Sequence, residues 1–217
     1  MVITKEWMAA LPLGVNEQVA ESLLSELSSM YASPHRHYHN LEHLRAMFKL
    51  LEHYKLEILA PDIVALSIFY HDAIYDSSAG NNEEASAEYA VGCLQKLSLA
   101  VNEIEWIKEA ILATKSHQLP VDVSNQNDLA YLLDFDLAIL SATWTEYKKY
   151  AGCIRKEYQQ YNHFAYNIGR RKVLSHFLKK PFIYHTPGFK NEREAIARNN
   201  IKKEINWLRW KFIFPFI

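Results

Sequence analysis

Apolar residues recur at every third or fourth position along most of this chain, the spacing that gathers them on one face of an α-helix. The pattern is clearest in VAESLLSELSSMY (19–31), LEHLRAMFKLLEHY (41–54), DIVALSIFYHDAIY (62–75), EEASAEYAVGCLQKL (83–97) and IEWIKEAILATKSH (104–117). It continues through NDLAYLLDFDLAIL (127–140), TWTEYKKYAGCIRKEYQQY (143–161), FAYNIGRRKVLSHFLKK (164–180) and EREAIARNNIKKEINWLRW (192–210). No segment alternates convincingly as a strand would, although IVALSIFY is short and β-branched enough to suit either. The punctuation fits helices. Ser33-Pro34 reads as an N-cap with proline in the first turn, Pro61 as a helix opener, and Asn81 as a cap with Glu84 three residues on. Gly80, Pro120, Pro181 and Pro187-Gly188 fall between the periodic stretches. The expected fold is all-α: one helical domain over 1–217, of about nine or ten helices. Its apolar C-terminal segment, 205–217, is expected to dock on that domain, with a homodimer or membrane-surface contact as the alternative.

Composition narrows the class. Hydrophobic residues make up 49% of 217, enough for a real core, and 23% charged is ordinary. A formal net charge of −1 argues against a domain that coats nucleic acid. Cys93 and Cys153 are isolated, which disfavours a disulfide framework and fits a cytoplasmic setting. The N-terminus lacks a signal-peptide pattern, and no apolar run approaches the ~18–20 residues of a membrane span.

Chemistry concentrates in HRHYHNLEH (35–43), which holds four of the ten histidines. His39 and His43 are four apart, and Asn40 between them is a good N-cap. That cap puts His43 in a rigid first turn, suited to a ligand, and leaves His39 in the loop, suited to a proton donor. His71-Asp72 ends an apolar helix, where a carboxylate needs a partner such as a cation, an arginine or a cap. Asp134 and Asp136 sit two apart in LAYLLDFDLAIL, hence on different helix faces, and a carboxylate buried there asks for a charge partner. A mixed nitrogen and oxygen set of this kind suits Zn, Mn, Fe, Co or Ni better than Ca.

The ordered set His43…His71-Asp72…Asp136 resembles the H…HD…D signature of the HD-domain superfamily of metal-dependent phosphohydrolases, which is all-α. Tyr38-His39-Asn40-Leu41-Glu42-His43 is also similar to the YHNxxH segment of cyclic-nucleotide phosphodiesterases. RHYHNLEH, FYHDAIYD, NNEEASA and LLDFDLAIL together resemble a small bacterial family of HD-type phosphohydrolases, over residues 30–200. The resemblance implies His43, His71, Asp72 and Asp136 as ligands of a divalent metal (Mn, Zn, Fe, Co, Ni or Mg), with Asp134 as the fallback for Asp136. It implies hydrolysis of a phosphate ester of a small, nucleotide-like molecule by metal-activated water, with Asp72 at the reacting centre and His39 as general acid. The further histidine and glycine of the phosphodiesterases are missing after His71-Asp72, so a phosphodiesterase substrate is not implied.

A cation must offset the phosphate charge; Arg36 is the first candidate, by its bidentate fork, with Lys115 and Arg170 behind it. His117 is read as a buried histidine or an additional ligand. Glu84 is read as a cap or a site residue, and Asp76 as a helix-end group or a contact to bound water. His35 and His37 are read as turn residues, and His53, His163, His176 and His185 as surface or structural. The aromatic-rich IRKEYQQYNHFAYNIGRR is read as core plus a solvated face. Two other functions compete: a diiron oxygenase, which needs extra histidines between the His-Asp pair and the distal Asp, and a non-catalytic metal- or nucleotide-binding protein. Neither a nucleic-acid partner nor a membrane span is expected.

Overall fold

The computed structural model of the protein describes residues 3–213, with side chains as far as 209. It is all-α among those residues: α1 (Thr4–Ala10), α2 (Glu17–Tyr31), α3 (Leu41–Tyr54), α4 (Pro61–Tyr70), α5 (Asn82–Lys96), α6 (Val101–Thr114) and α7 (Gln126–Asp136), then α8 (Trp144–Glu157), α9 (His163–Lys179) and α10 (Pro187–Ile213). Short 3-10 turns follow α3 at Lys55–Glu57 and α7 at Leu137–Ser141. The chain forms two compact units, Met1–Asp136 and Leu137–Ile217. No described helix is long and apolar enough to cross a membrane.

In the first unit the segment that also suited a strand is the central helix. Every residue of α4 from Ile63 to Tyr70 is buried, and α1, α3, α5, α6 and α7 pack around it. A helix apolar on all sides has no solvent face to keep, so its neighbours must enclose it. Pro61 opens α4, as expected, and the preceding linker is held by Asp128 at the start of α7. The buried Asp128 carboxylate accepts from Leu59 N at 2.9 Å, Ala60 N at 2.8 Å and Asn125 Nδ2 at 2.6 Å. Nothing local in the sequence marks this brace, because Asp128 and its backbone donors lie almost 70 positions apart. The short α1 carries no capping side chain, yet Trp7 docks it completely: the ring is fully buried, edge-on to Phe69, and Nε1 donates to Ala20 O at 3.1 Å.

Two expected caps are absent. Ser33-Pro34 opens no helix; Arg36 N donates to Ser33 O at 3.0 Å, so the proline turns the chain instead. Asn81 precedes α5 without a side-chain cap bond, and Glu84 pairs with Lys115. The neighbouring Asn82 grips the 71–81 loop: its Oδ1 accepts from Asp76 N and its Nδ2 donates to Asp76 O, both at 2.9 Å. Ser86 adds a reciprocal pair of bonds to Ile74. NNEEAS thus fixes the loop that leaves α4.

The second unit is organised by α10, which starts at Pro187, earlier than periodicity indicates, with Thr186 Oγ1 accepting from Phe189 N. Arg198 and Glu194 of α10 hold the α9–α10 connection: Arg198 donates to the carbonyls of Leu178, Lys180 and Pro181, and Glu194 accepts from Ile183 N and Tyr184 N. The expected docked segment 205–217 lies partly outside the described residues. Inside them it continues α10, with Ile205 and Leu208 buried and Trp207 half-exposed.

Candidate metal site

The site forms where four pieces of the first unit meet: the 33–40 loop with the start of α3, the end of α4, the residue beyond α6 and the end of α7. Asn40 caps α3, with its Oδ1 accepting from Glu42 N at 2.9 Å, so His43 occupies the first turn and His39 the loop before it. His71 and Asp72 follow directly on the rigid α4. Asp136 is the last residue of α7.

These elements bring His43, His71 and Asp72 together: each offers one ligand atom, and the three atoms lie within 4.8 Å of one another. The two Nε2 atoms are 3.2 Å apart, and His71 Nε2 is 3.1 Å from Asp72 Oδ2. Asp136 Oδ1 closes the group, 3.2 Å from His43 Nε2 and 3.8 Å from His71 Nε2. His43 and His71 are 5% and 1% exposed, whereas both carboxylates keep some access to solvent. The opposite side of the His71 ring is fixed as well, since Nδ1 lies 2.9 Å from Ile68 O. A carbonyl there accepts a hydrogen bond from Nδ1–H, which leaves the Nε2 lone pair directed inward, as second-sphere partners of metal-bound histidines do. Two inward imidazole nitrogens, two carboxylates and an anchored tautomer are a donor set fitted to a transition metal.

His117 joins them from the turn that follows α6. It has a left-handed backbone, φ 49°, with its N–H closing the last turn on Ala113 O, and its Nε2 lies 2.8 Å from Asp136 Oδ2. A non-glycine residue in that conformation is a strained feature that clusters at functional sites. Asp134 is fully buried, but the histidines reach Asp136 instead.

Arg36 takes a different place from the one expected. Its guanidinium is buried and donates to Asp72 O at 2.6 Å, Ala73 O at 2.7 Å and His39 O at 3.3 Å. It neutralises carbonyls at the end of α4 and clamps the 36–39 loop to the His-Asp turn, so it positions the site. Lys115 is engaged by Glu84 and by Gly80 O. Arg170 belongs to the second unit and pairs there with Glu204. Asp76 turns back on Ser78, accepting from its N and Oγ at 2.8 and 2.7 Å. One contributor that sequence reasoning overlooked is Tyr75, whose ring lies against His39 with centroids 4.3 Å apart. The FYHDAIYD stretch contained it, but nothing there distinguishes an aromatic wall from core.

Electrostatically the cluster is tightly bound. Burial alone would lower the His71 pKa, but the Asp72 charge and hydrogen bond, together with Asp136, raise it to about 9. Burial would raise Asp136; hydrogen bonds from His117 and His43, and the His117 and His71 charges, hold it well below the usual carboxylate range. Asp72 is likewise held low against burial by the charges of His71 and His39, despite the neighbouring Asp136. Without a metal, a proton on His71 would supply the positive charge that these carboxylates favour.

The sign of the pH dependence follows. A His71 pKa raised from 6.5 to about 9 stabilises the metal-free fold fully below pH 6.5, and that contribution is lost as pH rises through about 9. Metal must displace the proton, so apparent affinity for Mn is expected to rise by up to about tenfold per pH unit between 7 and 9, then level off. Calorimetric titrations across that window check it. An affinity flat in pH would show that His71 carries no proton to displace.

No protein-family profile, curated protein or solved structure matches the chain.

Proposed function

We propose that the first unit is a metal-dependent phosphohydrolase centre of the HD type, cleaving a phosphate ester of a small molecule. The observation that carries this reading is the convergence of His43 and His71 Nε2 with the carboxylates of Asp72 and Asp136, with His71 anchored behind on Ile68 O. A bound divalent cation supplies a polarised phosphoryl oxygen and a water of lowered pKa. His43, His71, Asp72 and Asp136 would hold it. Their burial keeps the imidazoles in one orientation, while the part-exposed carboxylates leave the open side through which an ester enters. His39 lies beside the group, its ring centroid 6.2 Å from that of His43, against the Tyr75 ring and close enough for its charge to act on Asp72. It holds the proton that goes to the leaving oxygen.

The test is release of inorganic phosphate from phenyl phosphate, whose leaving oxygen needs a proton, by protein supplied with Mn. His39→Gln is expected to lower turnover about 100-fold with unchanged Mn affinity, because general-acid catalysis contributes on that order. If His39→Gln hydrolyses at the full rate, His39 is not the acid. A second reading, oxygen chemistry at two irons, draws on His117, the added histidine 2.8 Å from Asp136. Two tightly held irons and no ester hydrolysis would favour it.

A further inference from the structure

The near-neutral total charge conceals two opposite ones. Residues 1–136 hold 8 Lys and Arg against 20 Asp and Glu, a net of −12. Residues 137–217 hold 16 against 5, a net of +11. Most of the second unit's few acids are engaged elsewhere within it. Glu146 closes the capping box of α8, Glu194 pairs with Arg198, Glu204 pairs with Arg170, and Glu157 is buried. That leaves Glu192, ten residues before Lys202 and so about 15 Å from it along α10.

Three of the unit's cations converge where none of these acids reaches. Between α9 and α10 runs a groove of about 410 Å³ lined by Lys179, Lys202 and Arg209, with Ser175 and Asn206 beside them and no carboxylate among its lining residues. Among the described residues none of the three cations has an ion-pair partner. Lys202, Asn206 and Arg209 are spaced i, i+4 and i+7 on α10, and Ser175 and Lys179 are i and i+4 on α9, so each set shares one helix face. Arg198, one turn before Lys202, donates to Leu178 O and Lys180 O, which ties α10 to the end of α9 and holds the two walls together.

We infer that this groove binds the phosphate chain of a small polyphosphate anion, free or carried by a nucleotide. Like charges gathered in one groove repel one another, and a bound anion relieves that repulsion. A carboxylate offers one charge and two oxygens in a plane. A phosphate carries up to about two charges and three acceptor oxygens, which can face both walls at once. Lys202 and Arg209 are separated by about 10 Å along the helix, a span for consecutive phosphates, and the Arg209 fork suits a phosphate bidentately. An extended acidic peptide sets its same-face carboxylates about 7 Å apart, too sparse for so short a groove. None of these residues belongs to the metal site, so the inference is independent of the hydrolase reading.

The experiment is calorimetric titration of the full-length chain with sodium tripolyphosphate, with EDTA present so that no metal bridges the ligand. One tripolyphosphate per chain is expected to bind at low salt. Raising salt from about 0.01 to 0.1 M, which shortens the screening length from about 30 to 10 Å, should weaken binding at least about tenfold. Lys202→Gln with Arg209→Gln should weaken it about tenfold, and reversal of all three cations (Lys179→Glu, Lys202→Glu, Arg209→Glu) at least about 100-fold. Circular dichroism confirms that each variant folds; the three side chains are exposed, so the buried face of α10 stays intact. Reversing the exposed Lys148, Lys149 and Lys156 on α8 changes the net charge equally and should matter little. Asp72→Ala should bind as the parent does, which separates this groove from the metal site. ATP should bind within about threefold of tripolyphosphate if the chain alone is read, and more tightly if the natural ligand is a nucleotide; citrate should bind at least about tenfold more weakly than either. Four results would overturn the inference: no binding at low salt, equal losses from the α8 and groove reversals, citrate binding as tightly as tripolyphosphate, or loss of binding in Asp72→Ala.

Discussion

Asp72→Ala is expected to lower affinity for a divalent metal by at least about 100-fold and to abolish ester hydrolysis with it, a loss beyond the 10–100-fold typical of second-sphere changes. Asp72 Oδ2 is 3.1 Å from His71 Nε2, and the two are joined at the end of a fully enclosed helix. Asp136 is already engaged by His43 and His117. Asp72→Asn keeps the shape and removes the charge, and should fail equally if the carboxylate is what the site needs. The fold should survive both changes, because Arg36 holds this turn through the backbone carbonyl of Asp72. Calorimetric titration with Mn measures the loss. Unchanged affinity in Asp72→Ala would remove Asp72 from the ligand set.

Glu204→Ala is expected to produce the largest stability loss, about 3–5 kcal/mol, the range for stripping one partner from a buried ion pair. Glu204 is 2% exposed and accepts from Arg170 Nε at 2.9 Å, from Arg170 Nη2 at 3.1 Å and from Tyr147 Oη at 2.6 Å. Without it the Arg170 guanidinium stays buried with no counter-charge in that network, and the Tyr147 hydroxyl loses its acceptor. The double variant Arg170→Met/Glu204→Leu should recover most of the loss, since the uncompensated charge goes too. Urea denaturation followed by circular dichroism measures both. A Glu204→Ala loss below about 1 kcal/mol would show that the pair is hydrated and of surface type. The double variant also bears on function: Arg170 was a candidate phosphate contact by sequence, and full ester hydrolysis without it would establish that its role is structural.

The Arg170–Glu204 pair shows where the sequence stops being legible. Helix positions came through because periodicity is local: α3 spans the residues its apolar spacing indicates, and the ambiguous IVALSIFY proved to be the central helix. The seven-residue α1 did not, because its stability comes from Trp7 burying against Phe69 and Ala20, which no local pattern encodes. The candidate ligands were legible as an ordered motif, and Asn40 as a cap separated the placements of His39 and His43. The partners of the basic residues were not legible, for a common reason. Arg36, Lys115 and Arg170 each meet a partner more than 30 positions away, so a free cation and a committed one look alike in the sequence. His117 reaches Asp136 only through a left-handed backbone at a position where glycine would be the usual choice. The opposite charges of the two halves were present in the composition, but only the boundary after Asp136 separates them.

The central claim is that the first unit holds a catalytic divalent metal. Elemental analysis of the purified chain, after exposure to Mn, Zn, Fe, Co or Ni and removal of excess, tests it most directly. The account predicts about one or two ions retained per chain, lost in Asp72→Ala and in His71→Ala. A chain that retains none of these metals, or variants that retain as much as the parent, would contradict it.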